Sequence, residues 1–271
     1  MTKSRSGLIW SALGWIVGLG MFFPVLWMVL TSFKHERDAF TESPKLIFKP
    51  TLEQYRAVFD GGIGTALLNS AWATIGSTVL VLLLAVPCAY ALAIRPVEKW
   101  RDVLFFFLST RMLPVVGAIV PIYVIARDIG MLDNIWTLVI LYTAMNLPIA
   151  VWMLRSFMSE VPGEVLEAGR VDGANMRQEA GRIMIPMIAP GIAATALICV
   201  IFAWNEFFLA VNLTSVRAGT VPVYLVGFIT SEGAFWARLS AAATLAAIPV
   251  LLAGWIAQRQ LVRGLTLGAI K

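Results

Sequence analysis

The sequence predicts an all-α membrane protein with six transmembrane helices. Of the 271 residues, 59% are hydrophobic and only 14% are charged, whereas soluble domains contain about 45–50% apolar and about 25% charged residues. The mean hydropathy is +0.81. Six apolar runs are each long enough to cross a hydrocarbon core of about 30 Å at about 1.5 Å per residue. We therefore expect residues 1–271 to form one transmembrane domain.

Each predicted helix corresponds to one apolar run. Proline interrupts the third and fourth runs at Pro114, Pro121 and Pro148, where we expect kinks that neighbouring helices can accommodate by satisfying the freed carbonyls. The fifth run is the least regular because it contains Asn205 and Glu206. The runs cover residues 8–30, 67–94, 103–126, 134–154, 190–212 and 240–257.

Lysine and arginine residues between the runs predict the orientation. An even number of spans places both termini on one side, and that side carries 12 Lys and Arg residues against 8 on the other. The bias is strongest where Arg95, Lys99 and Arg101 share one short loop. Because cationic residues are retained in the cytoplasm, we expect the termini, the loop at 155–189 and a tail at about 258–271 to be cytoplasmic.

Composition argues against several classes of function. The net charge of +5 comes from residues scattered between the apolar runs, so no basic surface for nucleic acid is expected. Cys88 and Cys199 lie inside apolar runs and His35 is the only histidine. Neither a disulfide framework nor a Cys/His metal site is therefore expected, and no cofactor is expected in this chain.

The loop at 155–189 is too long to be a plain connection. Neighbouring helices need only about 2–8 connecting residues, so a loop of this length suggests a function of its own. Pro162 favours a helix start, Asp172-Gly173 favours a turn with Gly173 at positive φ, and residues 174–183 favour a second helix before Pro186. The sequence predicts a helix, a tight turn and a helix that protrude as a rigid knob.

The residue spacing in this loop resembles a family motif. Glu167–Gly169, then Gly173, then Ile183-x-Ile185-Pro186 match the pattern Glu-Ala-Ala, three residues, Gly, nine residues, Ile-x-Leu-Pro of binding-protein-dependent importer permeases. Two positions depart from it, because Gly169 replaces the second Ala and Ile185 replaces Leu. Both keep small or apolar character, although Gly169 should loosen its helix by up to about 1 kcal/mol relative to Ala.

The resemblance extends from about residue 8 to residue 270. It is strongest to carbohydrate-uptake subunits similar to the smaller maltose-transporter permease, in Trp204-Asn205-Glu206 and in the terminal Gly264–Lys271. Ser109–Pro114 resembles the subset of such permeases that imports polyols or related sugars.

This resemblance implies a bacterial inner-membrane permease subunit of an ATP-binding-cassette importer. In that family the loop docks on an ATP-hydrolysing partner as a coupling helix, and a second homologous permease subunit, two ATP-binding subunits or domains and an extracytoplasmic solute-binding protein complete the transporter. This chain has no Gly-x-x-x-x-Gly-Lys-Ser/Thr sequence, so ATP and Mg²⁺ are expected in the partners and the chain is not expected to be an enzyme. The predicted coupling residues are Glu167, Ala168, Gly169, Asp172, Gly173, Ile183 and Pro186.

Two ionisable residues lie well inside predicted spans, Arg111 in the third and Glu206 in the fifth. Such a group near the bilayer centre costs about 2.5–3.5 kcal/mol on insertion scales and usually marks a polar pathway or a paired site. The expected depths of the two residues differ by about 12 Å, which argues against a direct pair. Arg111, Asn205 and Glu206 are candidates for a substrate path. The alternative for Glu206 is snorkelling to the outer interface or a hydrogen bond with Asn205.

An ion-coupled secondary transporter is the main alternative. Such proteins usually have ionisable coupling residues near the midplane and often two inverted repeats, whereas this sequence offers two candidate charges and no convincing repeat. A membrane-embedded enzyme would need a nucleophile, a base or metal ligands in one place, which His35 and two cysteines in apolar runs do not supply. The importer permease is the preferred interpretation.

Overall fold

The computed structural model describes residues 5–41, 43–94, 97–112, 114–230 and 233–268. Lys3, Arg95, Leu113 and the last three residues of the predicted tail lie outside these ranges, as do the side chains of the tail motif from Gly264 onward. The described chain is mainly α-helical, with one π-helix and one two-stranded hairpin.

The helices follow one another along the chain, most of them with short connections. The first half of the chain contains α1 (Arg5–Ser32), α2 (Glu36–Ala39), α3 (Glu53–Asp60), α4 (Ile63–Ile94), α5 (Trp100–Met112), α6 (Val115–Asp128) and α7 (Ile135–Ser159). The second half contains α8 (Gly163–Val171), α9 (Met176–Gln178), the π-helix (Glu179–Met184), α10 (Ile185–Met187), α11 (Ala189–Trp204), α12 (Phe208–Leu213), α13 (Val221–Val226), β1 (Ile229–Thr230), β2 (Gly233–Ala234) and α14 (Trp236–Gly268).

Four described helices are long and apolar enough to cross a membrane. They are α1, α4, α7 and α14, each with an apolar stretch of 23 to 32 residues. Two bent pairs also qualify if each pair is one span: α5 with α6, and the segment Met176–Met187 with α11. By length and composition the chain therefore has four to six candidate spans, and the prediction of a mainly helical membrane protein is confirmed at this level.

The third and fifth predicted spans are less regular than expected. Pro114 precedes α6 with an extended backbone, at φ −65° and ψ 113°, so it separates α5 from α6 where a kink was expected. Pro121 and Pro148 lie inside α6 and α7 as expected. In the fifth run α11 ends at Trp204 and α12 begins at Phe208.

The chain divides into two compact units. The first comprises Met1–Thr65 and Tyr224–Ile248, and the second comprises Ala66–Val223 and Pro249–Lys271. In the first unit, the Glu36 carboxylate accepts hydrogen bonds from the backbone N–H groups of Ala237 (3.0 Å) and Arg238 (3.2 Å) and so caps α14. The Tyr224 hydroxyl donates to the Val58 carbonyl at 3.0 Å. The expectation of one transmembrane domain stays a prediction.

The central helix of the second unit is α7. Within the chain, 56% of its apolar stretch is buried, the largest share among the four long helices. Two clusters of buried apolar side chains surround it, one shared with α4, α5, α8 and α11 and the other with α4, α6, α11 and α12. Gly191 of α11 lies against Phe157 of α7 so closely that a Cβ would be 2.5 Å from the ring. Glycine permits this close approach of the two helices.

Asp133 fixes the loop that follows α12. This residue has a left-handed backbone, with φ 52°, and its carboxylate accepts hydrogen bonds from the backbone N–H groups of Ser215, Val216, Arg217 and Ala218 at 2.8–3.2 Å. Burial alone would raise the pKa of Asp133, but these four backbone donors lower it. The carboxylate is therefore charged at neutral pH and holds two connections of the second unit together.

Candidate functional site

The loop between α7 and α11 contains every residue of the motif, and its first helix is α8. Pro162 precedes α8 with an extended backbone, at φ −60° and ψ 130°, and leaves Gly163 to begin the helix. Leu166 is buried in the core cluster shared with α4 and α7. Glu167 and Ala168 face away from that core and are exposed. One face of α8 is therefore anchored, and the motif residues lie on its free side.

Gly173 ends α8 in a Schellman motif. It has φ 84°, as the Asp172-Gly173 sequence predicted. The N–H of Ala174 donates to the carbonyl of Gly169 at 2.9 Å, and that of Gly173 donates to the carbonyl of Arg170 at 3.0 Å. These are the two hydrogen bonds that define the motif. Asp172 and Gly173 are both exposed, so the turn forms the tip of the loop.

The second half of the loop is not the regular α-helix expected at 174–183. Asn175 caps α9 through a capping box, in which its side chain accepts from the Gln178 N–H and the Gln178 side chain accepts from the Asn175 N–H. The chain then continues as the π-helix Glu179–Met184 and the short α10, in which Pro186 lies. The wider π-helical turn contains two buried side chains, Glu179 and Met184.

Gly169 and Ile183 connect the two halves of the loop. A Cβ on Gly169 would lie 2.4 Å from the terminal methyl group of Ile183. The glycine that departs from the family motif thus makes room for the isoleucine that matches it. Because the close atom is the end of a flexible side chain, alanine at 169 would require only a shift of Ile183.

A buried carboxylate anchors the loop to helix α4. Glu179 is 1% exposed and accepts two hydrogen bonds from Arg170, from Nε at 2.7 Å and from Nη2 at 2.9 Å. It accepts a third from the hydroxyl of Tyr90, at 2.6 Å. Arg170 belongs to α8, Glu179 to the π-helix and Tyr90 to α4, so this network ties both halves of the loop to a candidate transmembrane helix.

The charge of Arg170 is stabilised by this pair. Its hydrogen bonds to Glu179 raise the pKa of the Arg170 guanidinium above its ordinary value. Two parallel N–H donors on one carboxylate also fix the orientation of both groups, which a single point charge would not do. The guanidinium remains half exposed, so the pair lies at the edge of the core and not in its centre.

A cavity of about 430 Å³ lies beside the network. It is bounded by the last turn of α4 at Ala93 and Ile94, by Arg155 of α7 and by Glu167 and Arg170 of α8. Motif residue Glu167 therefore faces a space beside the anchored loop, and it contributes to the electrostatic stabilisation of Arg170.

Sequence reasoning missed Tyr90, Arg170 and Glu179 as a functional group. Arg170 and Glu179 are nine positions apart, which is not a spacing that brings side chains together on one helix, and Tyr90 is 89 positions from Glu179. Glu179 was nevertheless an acidic residue in a stretch expected to be helical, close before an apolar run. A buried role for one of the loop's charges could have been suspected there.

The residues predicted for a substrate path each have their own local partner. Arg111 donates from Nη1 to the carbonyl of Met145 at 2.6 Å, and its guanidinium lies 5.0 Å from the centre of the Phe202 ring. Asn205 donates to the carbonyl of Ile201 at 2.8 Å and is exposed. Among the described residues no ion pair joins Arg111 to Glu206, which agrees with the argument from depth.

Glu206 caps the short helix α12. Its carboxylate accepts hydrogen bonds from the N–H groups of Leu209 (2.8 Å) and Ala210 (3.2 Å). An acidic side chain is favourable at a helix N-terminus because it satisfies unpaired donors and faces the positive end of the helix dipole. The charge thus stabilises the break between α11 and α12, a structural role that sequence reasoning did not weigh.

The Ser109–Pro114 segment adds little to the choice of substrate. The hydroxyl of Ser109 donates to the carbonyl of Phe106 at 2.8 Å, and that of Thr110 donates to the carbonyl of Phe107 at 2.6 Å. Both hydroxyls are engaged by their own helix, and Leu113 lies outside the described residues.

The loop, the apolar helices and the residue spacing of the motif agree with one protein family. The family described as "binding-protein-dependent transport system inner membrane component" matches residues 62–266. The chain belongs to this family. It is accordingly a permease subunit of an ATP-binding-cassette importer, and such subunits are transporter components and not enzymes.

Individual relatives match along the whole chain. A probable ABC transporter permease protein of Sinorhizobium fredii is 38% identical over 271 residues, covering 100% of this chain and 98% of the relative. A diacetylchitobiose uptake system permease protein of Streptomyces coelicolor is 34% identical over 278 residues and covers 100% of both chains. A bacterial ABC transporter for import of the acidic polysaccharide alginate shares the fold, with a TM-score of 0.77 and 24% identity over 96% of this chain and 99% of that chain.

The first prediction concerns Glu179. Replacing Glu179 by Gln keeps the size of the side chain but removes the negative charge that Arg170 contacts. We expect the backbone amides of residues 170–184 to exchange with deuterium several-fold faster, because opening the loop no longer breaks charge-assisted hydrogen bonds. Hydrogen–deuterium exchange with mass spectrometry on the purified protein measures this change.

Glu164→Gln is the matched control, since Glu164 is an exposed carboxylate in the first turn of α8. It should leave exchange in the loop unchanged. If Glu179→Gln exchanges at the wild-type rate, the network does not determine the stability of the loop.

Proposed function

We propose that this chain translocates a carbohydrate or polyol and is driven by ATP hydrolysis through the loop between α7 and α11. The proposal rests on one combination of features: the motif residues at the tip of the loop are exposed, and the base of the loop is anchored to α4. Glu167, Ala168, Asp172 and Gly173 are exposed, while Glu179 anchors the loop to α4 through Tyr90. A projection of this kind can be pushed by a partner without collapsing.

The exposed motif residues would form the contact with the ATP-hydrolysing partner. Ala168 has a small side chain that allows close approach, and Glu167 and Asp172 supply polar groups at the rim of the contact. Gly169, Ile183 and Pro186 act inside the loop, where Gly169 and Ile183 pack together. A displacement of α8 would reach α4 through Arg170, Glu179 and Tyr90.

The partners follow from the family. A binding-protein-dependent system requires a soluble protein that delivers the solute, and we propose a second, homologous permease subunit that completes the pathway. Two ATP-binding subunits or domains would bind ATP and Mg²⁺, because this chain has no phosphate-binding loop of its own. Closure of the ATP-binding subunits would move the two coupling loops together and open the pathway outward.

The substrate class is proposed from the relatives and from the polar groups of the apolar helices. The Streptomyces coelicolor relative is named for diacetylchitobiose uptake, and the solved transporter with this fold imports a polysaccharide. Arg111 and Asn205 are exposed and polar, and Phe202 presents an aromatic ring beside Arg111. These groups suit a ligand with hydroxyls and apolar ring faces. Glu206 would support the path by holding the break before α12.

We further propose six transmembrane spans with both termini in the cytoplasm of a bacterial cell and the chain in its inner membrane. The four long helices and the two bent pairs make six if each pair is one span. The placement of Lys and Arg residues supports a cytoplasmic loop at 155–189. This orientation puts the motif on the side where ATP is available.

The coupling prediction uses two substitutions in the exposed motif. Ala168→Trp adds bulk to the proposed contact surface. Gly173→Val leaves the surroundings free of clashes, since nothing lies within 4 Å of a Cβ there, but a β-branched residue at φ 84° costs about 1–3 kcal/mol locally. We expect both variants to insert normally and to lose association with the ATPase, or its stimulation by solute-loaded binding protein. Copurification and ATPase assays measure these effects.

Gly163→Val is the control for Gly173→Val. Gly163 also has open space around a Cβ but no positive φ, so the same side chain should be tolerated better there. Wild-type uptake and ATPase association in both Ala168→Trp and Gly173→Val would exclude the loop as the coupling element.

The orientation predicts where a cysteine in the loop can be labelled. Asn175 is exposed, and Asn175→Cys should react with a membrane-impermeant maleimide only after the cells are opened. The buried and half-buried Cys199 and Cys88 are replaced by Ser beforehand to remove background. Labelling of this cysteine from the outside of intact cells would show that the proposed orientation is wrong.

Arg111→Leu tests the proposed substrate path. The substitution removes the guanidinium beside Phe202 but keeps an apolar side chain in the helix, so the protein level should be unchanged. We expect reduced uptake with an ATPase that is still stimulated by the binding protein, because the coupling loop is intact. Unchanged uptake would show that Arg111 is not part of the path.

A further inference from the structure

A second cavity lies in the first unit, and none of its lining residues belongs to the motif loop. It has a volume of about 410 Å³ and is formed by one face of the last turns of α1, by the first turns of α14 and by residues within 34–41 and 43–45. Trp27, Thr31 and Lys34 line it from α1 and its end, and Trp236 and Ser240 line it from α14. Its size is sufficient for a small molecule, since ligand pockets begin at about 300 Å³.

Lys34 is the unusual residue in this cavity. Its side chain is only 1% exposed, yet among the described residues its ammonium takes part in no salt bridge or hydrogen bond. It lies over the ring of Trp27, 4.1 Å from the centroid, and 5.2 Å from that of Phe48. Aromatic faces stabilise a cation, but they do not satisfy its three N–H donors.

Thr31 is a second buried polar group on the same wall. It is 6% exposed, and its hydroxyl has no hydrogen-bond partner in the described part of the chain. Thr31 and Lys34 are three positions apart, and the N–H of Lys34 donates to the Thr31 carbonyl at 3.0 Å. Buried donors without partners are rare in folded proteins and call for a ligand or solvent group. Here an unpartnered hydroxyl and, among the described residues, a lysine without an ion-pair partner line one cavity.

The charges of the cavity favour a monoanion. Asp38 and Lys45 also line it and pair with each other, with Lys45 Nζ 2.8 Å from Asp38 Oδ1. That pair is neutral as a whole, so Lys34 is the one charged group without an ion-pair partner among the described residues that line the cavity. Burial lowers the pKa of Lys34, and the charge of Asp38 offsets only part of this effect. A bound anion would restore the solvation that the ammonium has lost.

The remaining walls suit a ligand with hydroxyl groups. Ser240 offers a further hydroxyl, and the half-exposed indole of Trp236 offers an apolar face. The Thr41 hydroxyl already donates to the Ser43 carbonyl at 2.9 Å and can only accept from a ligand. We propose that this cavity binds a small hydroxylated carboxylate, whose oxygens accept hydrogen bonds from the Lys34 ammonium and the Thr31 hydroxyl. The site lies outside the motif loop and its function does not depend on coupling to ATP.

The experiment uses glucuronate as the probe and glucose as the neutral molecule of similar size. The full-length chain, with the subunits that copurify with it, is placed in lipid nanodiscs and titrated by isothermal calorimetry. We expect glucuronate to bind the wild type and Lys34→Met to bind it at least about tenfold more weakly, because a charge-assisted hydrogen bond is lost. Thr31→Val should also weaken binding, and glucose should not bind at this site.

Three variants make the test specific. Lys49→Met removes an exposed lysine that lies just beyond residues 43–45 and does not line the cavity, and should bind glucuronate like the wild type. Lys34→Arg keeps the charge and should retain most of the affinity. If Lys34→Met fails to fold, Thr31→Val, which keeps the ammonium and the size of the side chain, decides alone.

Two results would overturn the proposal. Glucuronate that binds Lys34→Met and Thr31→Val as tightly as the wild type occupies another site. A wild type that binds no glucuronate also contradicts the proposal, whatever the thermal stability of Lys34→Met, and would show that Lys34 only packs against Trp27.

Discussion

The buried carboxylate of Glu179 is the interaction on which the geometry of the loop depends. A charge in this position is costly unless it is paired and hydrogen-bonded, so α8 must present Arg170 and α4 must present Tyr90 to it. The chain has to reverse direction between residues 170 and 179 to allow this, and Gly173 provides the turn. We therefore expect the loop to move as one rigid unit, because local unfolding would separate the Glu179 carboxylate from its hydrogen-bond partners.

The conformational preferences of single residues were sufficient to predict the start and the turn of this loop. Pro162 before α8 and Gly173 at positive φ follow from the conformations that these residues prefer, and both were predicted correctly. The apolar runs likewise indicated the long helices α1, α4, α7 and α14, because a run that must be satisfied in lipid has few alternatives to a helix. The family motif then indicated the function of the loop, which hydrophobic periodicity alone could not indicate.

Tertiary contacts decided the parts that were missed. The π-helix at Glu179–Met184 exchanges regular hydrogen bonding for the burial of two side chains, which no propensity scale anticipates. Glu206 was weighed as a path or interface residue, but the nearest unpaired donors are those of α12, and these exist only because α11 stops at Trp204. Pro114 separates two helices where a kink was expected, since its own backbone is extended and α6 begins only after it.

Most of helix α1, up to Leu26, has no cover from the described part of the chain. Every residue from Trp10 to Leu26 is exposed, and Trp10 and Trp15 are 71% and 73% exposed. Lipid or another subunit must therefore surround it. Because indole fluorescence is quenched by brominated acyl chains at close range, these two tryptophans are intrinsic reporters of what touches the helix. In the isolated chain such lipids would quench them, and a neighbouring subunit that packs on α1 would protect them.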